Sequence, residues 1–336
     1  MIIPKNGSPE KNECGKMTDC YIGVEIGASK VQAALGYGDG SLISVSKHRV
    51  VLEDGARGIL DWLCGEIPAI IRAAGNGRRV TAIGVGFGGV LESATGVSLV
   101  SNQVEGWKDF PLKDWFEKTF GLPVVVLNDT VAGGCGEYLC SPEKSDVFFY
   151  TNIGSGIGGC LLLKGRFYDG SGYGGIYFGH IYVPDWTTNR AGAYTKVETM
   201  CSGFGIERRL NSPGYVPESS LLYKLGGGAG RYNCAMLGEA AQKKDAFALE
   251  EIERTADSYA LGLSNVITLF GAETVVIGGG VAKLGSVLFD PVRRQTEKYV
   301  FISAANRYTI RQSVLMDDAV LKGAIAAAAG NTAVFT

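Results

Sequence analysis

A short apolar run at residues 124–127 ends abruptly in two polar residues, Asn128 and Asp129. Four consecutive apolar residues are typical of a strand buried on both faces, and residues 130–137 predict a helix directly behind it. Asp129 is therefore expected at the carboxyl end of a strand. Ligands bind at this end of the strands in open α/β sheets, and a carboxylate there can accept a proton from a bound hydroxyl. The alternative is that Asn128 and Asp129 only cap the helix.

Apolar periodicity predicts one supersecondary pattern twice. Residues 21–36 predict two strands joined by a tight turn at Gly27, and residues 147–165 predict a second hairpin that turns at Gly154. Both turns begin with an Ile-Gly pair, which favours a duplicated unit. Further strands are predicted at 44–51, 80–89 and 274–280, and helices at 58–74, 115–120, 249–269 and 319–329. Pro68 is expected to kink or split the first of these helices. The pattern predicts an α/β fold class.

The composition excludes several classes of partner. The 336 residues suggest about two domains, and 32 basic against 34 acidic side chains leave a net charge of −2. This balance offers no basic surface for nucleic acid or an anionic membrane, and the apolar runs are too short for a membrane span. The eight cysteines form no CxxC pair and are expected to be reduced thiols. We expect a cytoplasmic protein with a small-molecule ligand.

Three glycine clusters follow apolar strands, at Gly27 close to Ser29, at 154–159 and at 278–280. Such loops present backbone N–H groups without side-chain obstruction, which phosphate oxygens require. One cluster alone is as readily an ordinary tight turn. Three clusters with a carboxylate-bearing strand end between them are more specific. No Walker loop is present, and the GxGxxG matches at 84–89 and 154–159 do not open a helix as a dinucleotide fold requires.

Several motifs occur in a characteristic order along residues 21–330. They are Glu25-x-Gly-Ala-Ser-Lys30, Gly86-Phe-Gly-Gly89, Ser101-Asn102 with Gly106-Trp107, Leu127-Asn-Asp129 with Gly136-Glu137, Asn152-Ile-Gly-Ser-Gly-Ile-Gly-Gly159, Gly179-His180 and Ile277-Gly-Gly-Gly-Val-Ala282. In this order they resemble the ROK family of sugar kinases and sugar-responsive repressors. The resemblance implies an actin-like, hexokinase-like (ribonuclease H-like) α/β fold of two domains around a cleft. It implies a small domain at 19–128 plus 319–336 and a large domain at 129–318. The polar composition ahead of Tyr21 separately predicts a disordered leader at 1–18.

The resemblance also implies roles for individual residues. Asp129 would be the general base that takes a proton from a sugar hydroxyl, which then attacks the γ-phosphate of ATP. The positions around the sugar would be Gly88, Asn102, Asn128, Tyr177, His180 and Glu198. The positions around ATP and its Mg²⁺ would be Glu25, Gly27, Ser29, Lys30, Gly154, Ser155, Gly156, Gly158, Gly278, Gly279 and Gly280.

Two residues depart from the family pattern inside this implied site. Glu25 stands where the first phosphate loop usually has aspartate, so any contact with magnesium or phosphate must be rearranged. Tyr177 stands where the family usually has glutamate, and a phenol supplies no carboxylate at neutral pH. Either the substrate differs at one hydroxyl or the affinity is low.

Relatives often bind a structural zinc ion through a histidine and three cysteines. The corresponding segment, 187–197, contains no cysteine, so we predict no structural zinc. His180 is then expected to contact the sugar directly, with a packed core histidine as the alternative. Glu198 has two interpretations as well, as a sugar contact or as an exposed glutamate at a helix start.

Two hypotheses follow. The first is a glucokinase-like, ATP-dependent kinase of a hexose or N-acetylhexosamine, with polyphosphate left open as the phosphoryl donor. The second is a non-catalytic sugar-binding protein or degenerate kinase, which the Glu25 and Tyr177 departures suggest. A DNA-binding repressor would need a winged helix-turn-helix ahead of the core, and the segment before Tyr21 is too short for one. Because many relatives are dimers, a homodimer is expected.

Overall fold

The computed structural model describes residues 17–330 apart from Asn76, Asn102 and Ala229. The strands are β1 (Thr18–Ile26), β2 (Lys30–Gly36), β3 (Leu42–Arg49), β4 (Arg78–Phe87), β5 (Val90–Glu92), β6 (Val97–Val100), β7 (Val124–Asn128), β8 (Val147–Ile153), β9 (Ile157–Leu163), β10 (Arg166–Phe167), β11 (Tyr182–Pro184), β12 (Tyr194–Lys196), β13 (Thr274–Gly278) and β14 (Thr309–Gln312). The helices are α1 (Gly55–Ala73), α2 (Leu112–Phe120), α3 (Asp129–Cys140), α4 (Val197–Cys201), α5 (Gly203–Leu210), α6 (Leu221–Leu225), α7 (Cys234–Gln242), α8 (Ala246–Phe270), α9 (Ser286–Tyr299) and α10 (Ala319–Ala328).

Two five-stranded sheets form the framework, and they have the same topology. The first has the order β3-β2-β1-β4-β7 and the second the order β10-β9-β8-β13-β14. In each sheet the first three strands are antiparallel neighbours, and the last two join in parallel. The predicted duplication is therefore confirmed in strand order and direction. Because the carboxyl ends of parallel strands lie at one edge of a sheet, each unit presents a ligand-binding edge.

Each sheet has its own apolar core. The first packs against α1 and α2, and the second packs against the helices of the second half of the chain. Along α1, Ile59, Leu63, Ile67 and Ile70 recur at helical spacing and are buried. The helix is not split at Pro68. Proline removes one backbone hydrogen bond, and the burial of Ile67 and Ile70 on either side holds the helix together.

Helices α3 and α10 cross closely between the two sheets. Buried side chains of α3 join the core of the second sheet, whereas those of α10 pack on the first. A Cβ atom on Gly323 would lie 1.8 Å from the carbonyl oxygen of Ala132, and one on Gly136 would lie 2.5 Å from that of Ala319. Only glycine permits this approach. The crossing places the start of α3, and with it Asp129, between the two units.

Glu137 of α3 fixes the chain where it returns toward the first sheet. Its fully buried carboxylate accepts hydrogen bonds from the Ser313 hydroxyl and from the backbone amide of Leu315, the latter at 2.8 Å. The Arg311 guanidinium lies 3.6 Å from the same carboxylate. This buried anchor determines how α10 enters the crossing.

The predicted elements are confirmed with ends that differ by a few residues, whereas several short ones and the longer helix α9 were not predicted. The elements that were not predicted are β5, β6, β10–β12, β14, α4–α7 and α9. The predicted leader, 1–18, lies outside the described residues except Met17 and Thr18, and Thr18 already begins β1. The predicted division at 128/129 and 318/319 stays a prediction, and residues 331–336 are outside the described part of the chain.

Candidate active site

A cleft of about 440 Å³ lies between the two ligand-binding edges. Both hairpin turns, the end of β4, the start of α3 and the start of α4 line it. The predicted site residues on its wall are Glu25, Gly27, Ser29, Lys30, Gly88, Asn128, Asp129, Gly154, Ser155, Gly156, Gly158, Tyr177, His180, Glu198, Gly279 and Gly280. Residues far apart in the chain therefore meet in one cavity.

Asp129 is the first residue of α3 and is half-buried at the base of the cleft. Its Oδ1 accepts a hydrogen bond from the amide of Thr130 at 2.8 Å. Its Oδ2 has no hydrogen-bond partner among the described residues and lies beside Gly88, where a Cβ atom would be 3.3 Å away. Loss of water contact raises the pKa of Asp129, and the hydrogen bonds from Thr130 partly offset this increase. The group is thus a carboxylate with one oxygen open to a ligand.

Asn128 has the capping role that the alternative interpretation gave to both residues. Its Oδ1 accepts from the amides of Thr130 and Val131, and its Nδ2 donates to the carbonyl of Gly89 at 3.1 Å. Asn128 therefore joins the start of α3 to the end of β4. Asp129 is left with the open position in the cleft.

The first hairpin turn has charged residues of its own. Lys30 Nζ lies 3.3 Å from Glu25 Oε1, and Gln32 donates to the other oxygen of the same carboxylate. Burial raises the pKa of Glu25, and the positive charge of Lys30 acts in the opposite direction. The additional methylene of Glu25 does not turn the carboxylate out of the cleft.

The second hairpin turn is held by side chains from elsewhere. Glu198 Oε2 accepts from the amide of Ile157 at 2.8 Å, and Asn152 Oδ1 accepts from the amide of Gly158 at 2.8 Å. Gln103 accepts from the Ser155 hydroxyl at 3.0 Å. Within the described ranges, no group accepts from the backbone amides of Ser155 and Gly156. These free donors fit phosphate oxygens.

A chain of polar contacts connects Asp129 to this second turn. Thr130 is buried, and its hydroxyl lies 3.3 Å from Asp129 Oδ1 and 3.2 Å from Asn152 Oδ1. Asn152 in turn accepts from Gly158. A Cβ atom on Gly158 would lie 2.2 Å from the Thr130 hydroxyl oxygen. The carboxylate of Asp129 and the second hairpin turn are therefore held in one fixed arrangement.

The opposite wall of the cleft is aromatic. His180 is half-buried, and its ring lies edge-on to Tyr177 at a centroid distance of 6.2 Å. The Tyr177 hydroxyl donates to the carbonyl of Tyr173. The glycine-rich loop before Tyr177 is attached to the first unit, because the Ser93 amide donates to Gly172 at 2.9 Å and its hydroxyl to Asp169 at 2.9 Å. Both units thus enclose this end of the cleft.

One predicted site residue lies away from the cleft wall, and another lies outside the described residues. Gly278 does not line the cleft, because it is still in β13 and its Cβ position faces the Tyr150 hydroxyl at 2.4 Å. The chain reaches the cleft only at Gly279, whose φ of +87° turns it out of the strand. Asn102 is not among the described residues.

Sequence reasoning missed three polar residues of the site, namely Gln103, Thr130 and Asn152. Asn152 is the next-to-last residue of β8 and Thr130 lies two residues after the end of β7, so their positions near strand ends were an available signal. Gln103 carries no such signal. Across the described residues, no group of three or more metal-binding side chains of His, Cys, Asp or Glu is present. No described helix has the length and hydropathy needed to cross a membrane.

The sequence profile of the ROK family matches residues 21–331. This chain belongs to the ROK family. It is similar to a glucokinase from Thermotoga maritima, with 28% identity over 305 residues that cover 90% of this chain and 95% of the relative. It is also similar to a putative xylose repressor from Caldicellulosiruptor sp., with 24% identity over 332 residues that cover 94% and 79%, respectively.

The solved structures agree with this assignment. A ROK family glucokinase from Streptomyces griseus, in complex with glucose and AMPPNP, matches this ROK protein with a TM-score of 0.78 at 28% identity. The match covers 92% of this chain and 99% of that one. The predicted actin-like, hexokinase-like α/β fold with a cleft between two units is confirmed.

Proposed function

We propose that this ROK protein is an ATP-dependent sugar kinase that phosphorylates a hydroxyl of a hexose or N-acetylhexosamine. The observation that carries the proposal is the open oxygen of Asp129 at the base of the cleft, connected through Thr130 and Asn152 to a loop with free backbone amides. Phosphoryl transfer depends on alignment of the acceptor and on stabilisation of charge, and this arrangement supplies both. The similarity to glucokinases supports the same reaction.

Asp129 acts as the general base. Its Oδ2 accepts the proton of the sugar hydroxyl while the hydroxyl oxygen forms a bond to the γ-phosphorus, and the bond from that phosphorus to the leaving oxygen of ADP breaks. The raised pKa of Asp129 lies closer to neutral pH, and a base with such a pKa accepts a proton more effectively. Thr130 holds the other oxygen, so the carboxylate cannot rotate freely.

The two hairpin turns bind the phosphates in different ways. Lys30 supplies positive charge, whereas the turn at 154–158 supplies backbone amides. The carboxylate oxygens of Glu25 have the hard character that Mg²⁺ prefers, and they would help to hold the ion that accompanies ATP. ATP supplies the phosphoryl group when it is bound.

His180, Glu198 and Asn128 would hold sugar hydroxyls on the opposite side of Asp129. The hydroxyl of Tyr177 already donates to Tyr173, so toward the ligand Tyr177 offers only an accepting oxygen and its ring. A sugar position beside Tyr177 must therefore be a hydrogen-bond donor or apolar. Movement of the predicted domains, 19–128 with 319–336 and 129–318, would close the cleft and exclude water, which competes as an acceptor. A homodimer remains part of the proposal.

A coupled assay of ADP release with glucose, mannose, N-acetylglucosamine and N-acetylmannosamine tests the proposal. The wild-type protein is expected to turn over at least one of them. In Asp129→Asn, kcat falls about 10²- to 10⁴-fold, the range that a general base contributes, while sugar affinity measured by calorimetry changes little. The exposed Asp114→Asn is the matched control and keeps full activity.

The alternative, a non-catalytic sugar-binding protein, predicts a different result. Sugar binds in the calorimeter, and no member of the panel releases ADP. Full turnover in Asp129→Asn would contradict the general-base role even if the protein is a kinase.

A further inference from the structure

The second hairpin turn has two ends that contact different elements. At one end, Gly158 lies against Thr130, next to Asp129. At the other end, the carbonyl of Gly154 accepts a hydrogen bond of 2.7 Å from the amide of Gly203, the first residue of α5. If the donor's phosphate chain follows this turn with the transferred phosphate at Asp129, the rest of the donor is directed toward α5.

Two side chains of α5 line the cleft at this end. Phe204 follows Gly203 directly and is 46% exposed. Glu207 lies one helical turn further, about 6 Å along the axis from Gly203 at a rise of about 1.5 Å per residue. Val281, next to the third glycine cluster, faces them, with its Cγ2 3.6 Å from the Cβ position of Gly203. The proposed reaction gives none of these side chains a role.

Glu207 is a fixed carboxylate without a cationic partner. Its Oε1 accepts from the amide of Cys234, the first residue of α7, at 3.1 Å. The nearby Arg209 is already bonded to Glu251 at 2.6 Å, and Glu207 forms no salt bridge with any residue that the structure describes. The amino-terminal end of α7 stabilises the negative charge of Glu207. The Oε2 of Glu207 accepts no hydrogen bond from the described residues and is open to donors from a ligand, because a carboxylate has only accepting oxygens.

We propose that Glu207 binds the 2′- and 3′-hydroxyls of the donor's ribose, and that Phe204 packs against its base. This inference rests on the proposed kinase function and makes the phosphoryl donor a nucleoside triphosphate. A vicinal diol supplies two O–H donors to one carboxylate, and charge-assisted hydrogen bonds of this kind are strong. Inorganic polyphosphate has no such donors, and its negative charge is repelled by Glu207.

The first test uses the wild-type protein and needs no activity. Titration calorimetry with AMPPNP, its 2′-deoxy analogue and magnesium tripolyphosphate measures binding at the cleft. AMPPNP is expected to bind roughly tenfold or more tightly than either of the others, the loss that follows when a charged partner is left unpaired. Equal affinities for the three ligands would overturn the inference.

The second test compares variants by steady-state kinetics at saturating sugar, with ATP and 2′-deoxy-ATP as donors. Glu207→Gln is expected to raise KM for ATP roughly tenfold with little change in kcat, and to bring the ratio of the two KM values close to one. Glu239→Gln on the exposed side of α7 is the charge-matched control and leaves both values unchanged. Phe204→Ala, at an exposed position, is expected to raise KM for both donors equally.

The outcomes separate the two proposals. If Glu207→Gln keeps the wild-type ratio of KM values, or if polyphosphate is as good a donor as ATP, the inference is wrong while the kinase function stands. If no donor supports turnover, the kinase proposal fails, and the calorimetric comparison alone decides the role of Glu207. Should Glu207→Gln unfold, as judged by its thermal melt, the wild-type ligand series and Phe204→Ala still decide it.

Discussion

The two hairpin turns occupy equivalent positions in the duplicated sheets, yet they differ in how they are stabilised. The first carries Glu25 and Lys30, which pair at 3.3 Å. The second has no charged residue between Asn152 and Gly159 and is held by Glu198 and Gln103 from other parts of the chain. One backbone topology thus supports a charged site in one unit and an amide site in the other. Charge can be tuned locally, whereas the amide site depends on close packing and on distant residues.

Gly158→Ala tests the dependence on packing and should have the largest effect. The new Cβ atom would lie 2.2 Å from the Thr130 hydroxyl oxygen, so either the second turn or Thr130 must move. A displacement near 1 Å lowers the rate about 100-fold, and kcat/KM is expected to fall by at least this factor. Gly65→Ala in α1, where no atom lies within 4 Å of the Cβ position, is the control and leaves the rate unchanged. Normal activity of Gly158→Ala would show that the second turn tolerates displacement.

Lys30→Gln tests the charged turn. Loss of the positive charge leaves Glu25 without its ionic partner and removes attraction for the phosphates, so KM for ATP is expected to rise roughly tenfold. Added salt should raise KM for ATP in the wild-type protein and so reduce its difference from the variant, because screening weakens the same attraction. Steady-state kinetics at two ionic strengths measures both. Lys118→Gln on the exposed face of α2 is the control. If KM for ATP changes with neither the substitution nor the salt concentration, charge has no role at this turn.

The acid side of the pH–rate profile tests the contact between Thr130 and Asp129, through which the carboxylate is joined to the second turn. Burial raises the pKa of Asp129 above its ordinary value of 3.8, and its base form is lost as the pH falls through that raised pKa. Therefore kcat/KM should begin to decline at a higher pH than for an exposed aspartate. Because the Thr130 hydroxyl lowers the pKa of Asp129, Thr130→Val is expected to move the decline to still higher pH. A shift to lower pH, or none, would contradict the bridging role of Thr130.

Trp186→Phe should have the smallest effect. It tests how Glu198, which holds the second turn, is itself positioned. Glu198 follows the β11–β12 hairpin, which also begins just after His180. Trp186 attaches this hairpin to α8 by donating to Ser258 at 3.0 Å, and the Arg209 guanidinium stacks on its ring at 4.7 Å. Phenylalanine keeps an aromatic ring but removes the indole N–H and its hydrogen bond, typically about 1 kcal/mol of stability. We expect a lower melting temperature and a KM for sugar raised by a few-fold, with kcat nearly unchanged. An altered kcat with normal sugar affinity would be inconsistent with this positioning role.

Features with a local signal were predictable from the sequence. The strand that ends just before Asp129 and the duplicated hairpins follow from apolar runs that stop at glycine or at the polar pair Asn128 and Asp129. In contrast, Gln103 becomes part of the site only because folding brings it to Ser155. The sequence does not distinguish Gly278 from Gly279, because both are glycine. The strand ends at Gly278, and only Gly279 leaves it.

The missed helix α9 shows a different limit. Leu288, Phe289 and Val292 are buried on one face at helical spacing, so a signal was present. Pro291 lies inside this segment and lowers its local preference for a helix. Burial against the second sheet outweighs this weak local preference, as tertiary packing commonly does.

A crystal structure of the ternary complex with a turned-over sugar and AMPPNP tests the central claim most directly. We predict that the acceptor hydroxyl lies about 2.6–3.2 Å from Asp129 Oδ2 and in line with the γ-phosphate, with phosphate oxygens on the amides of Ser155 and Gly156. A sugar whose hydroxyls all lie beyond hydrogen-bonding reach of Asp129, or phosphates bound away from both hairpin turns, would contradict it.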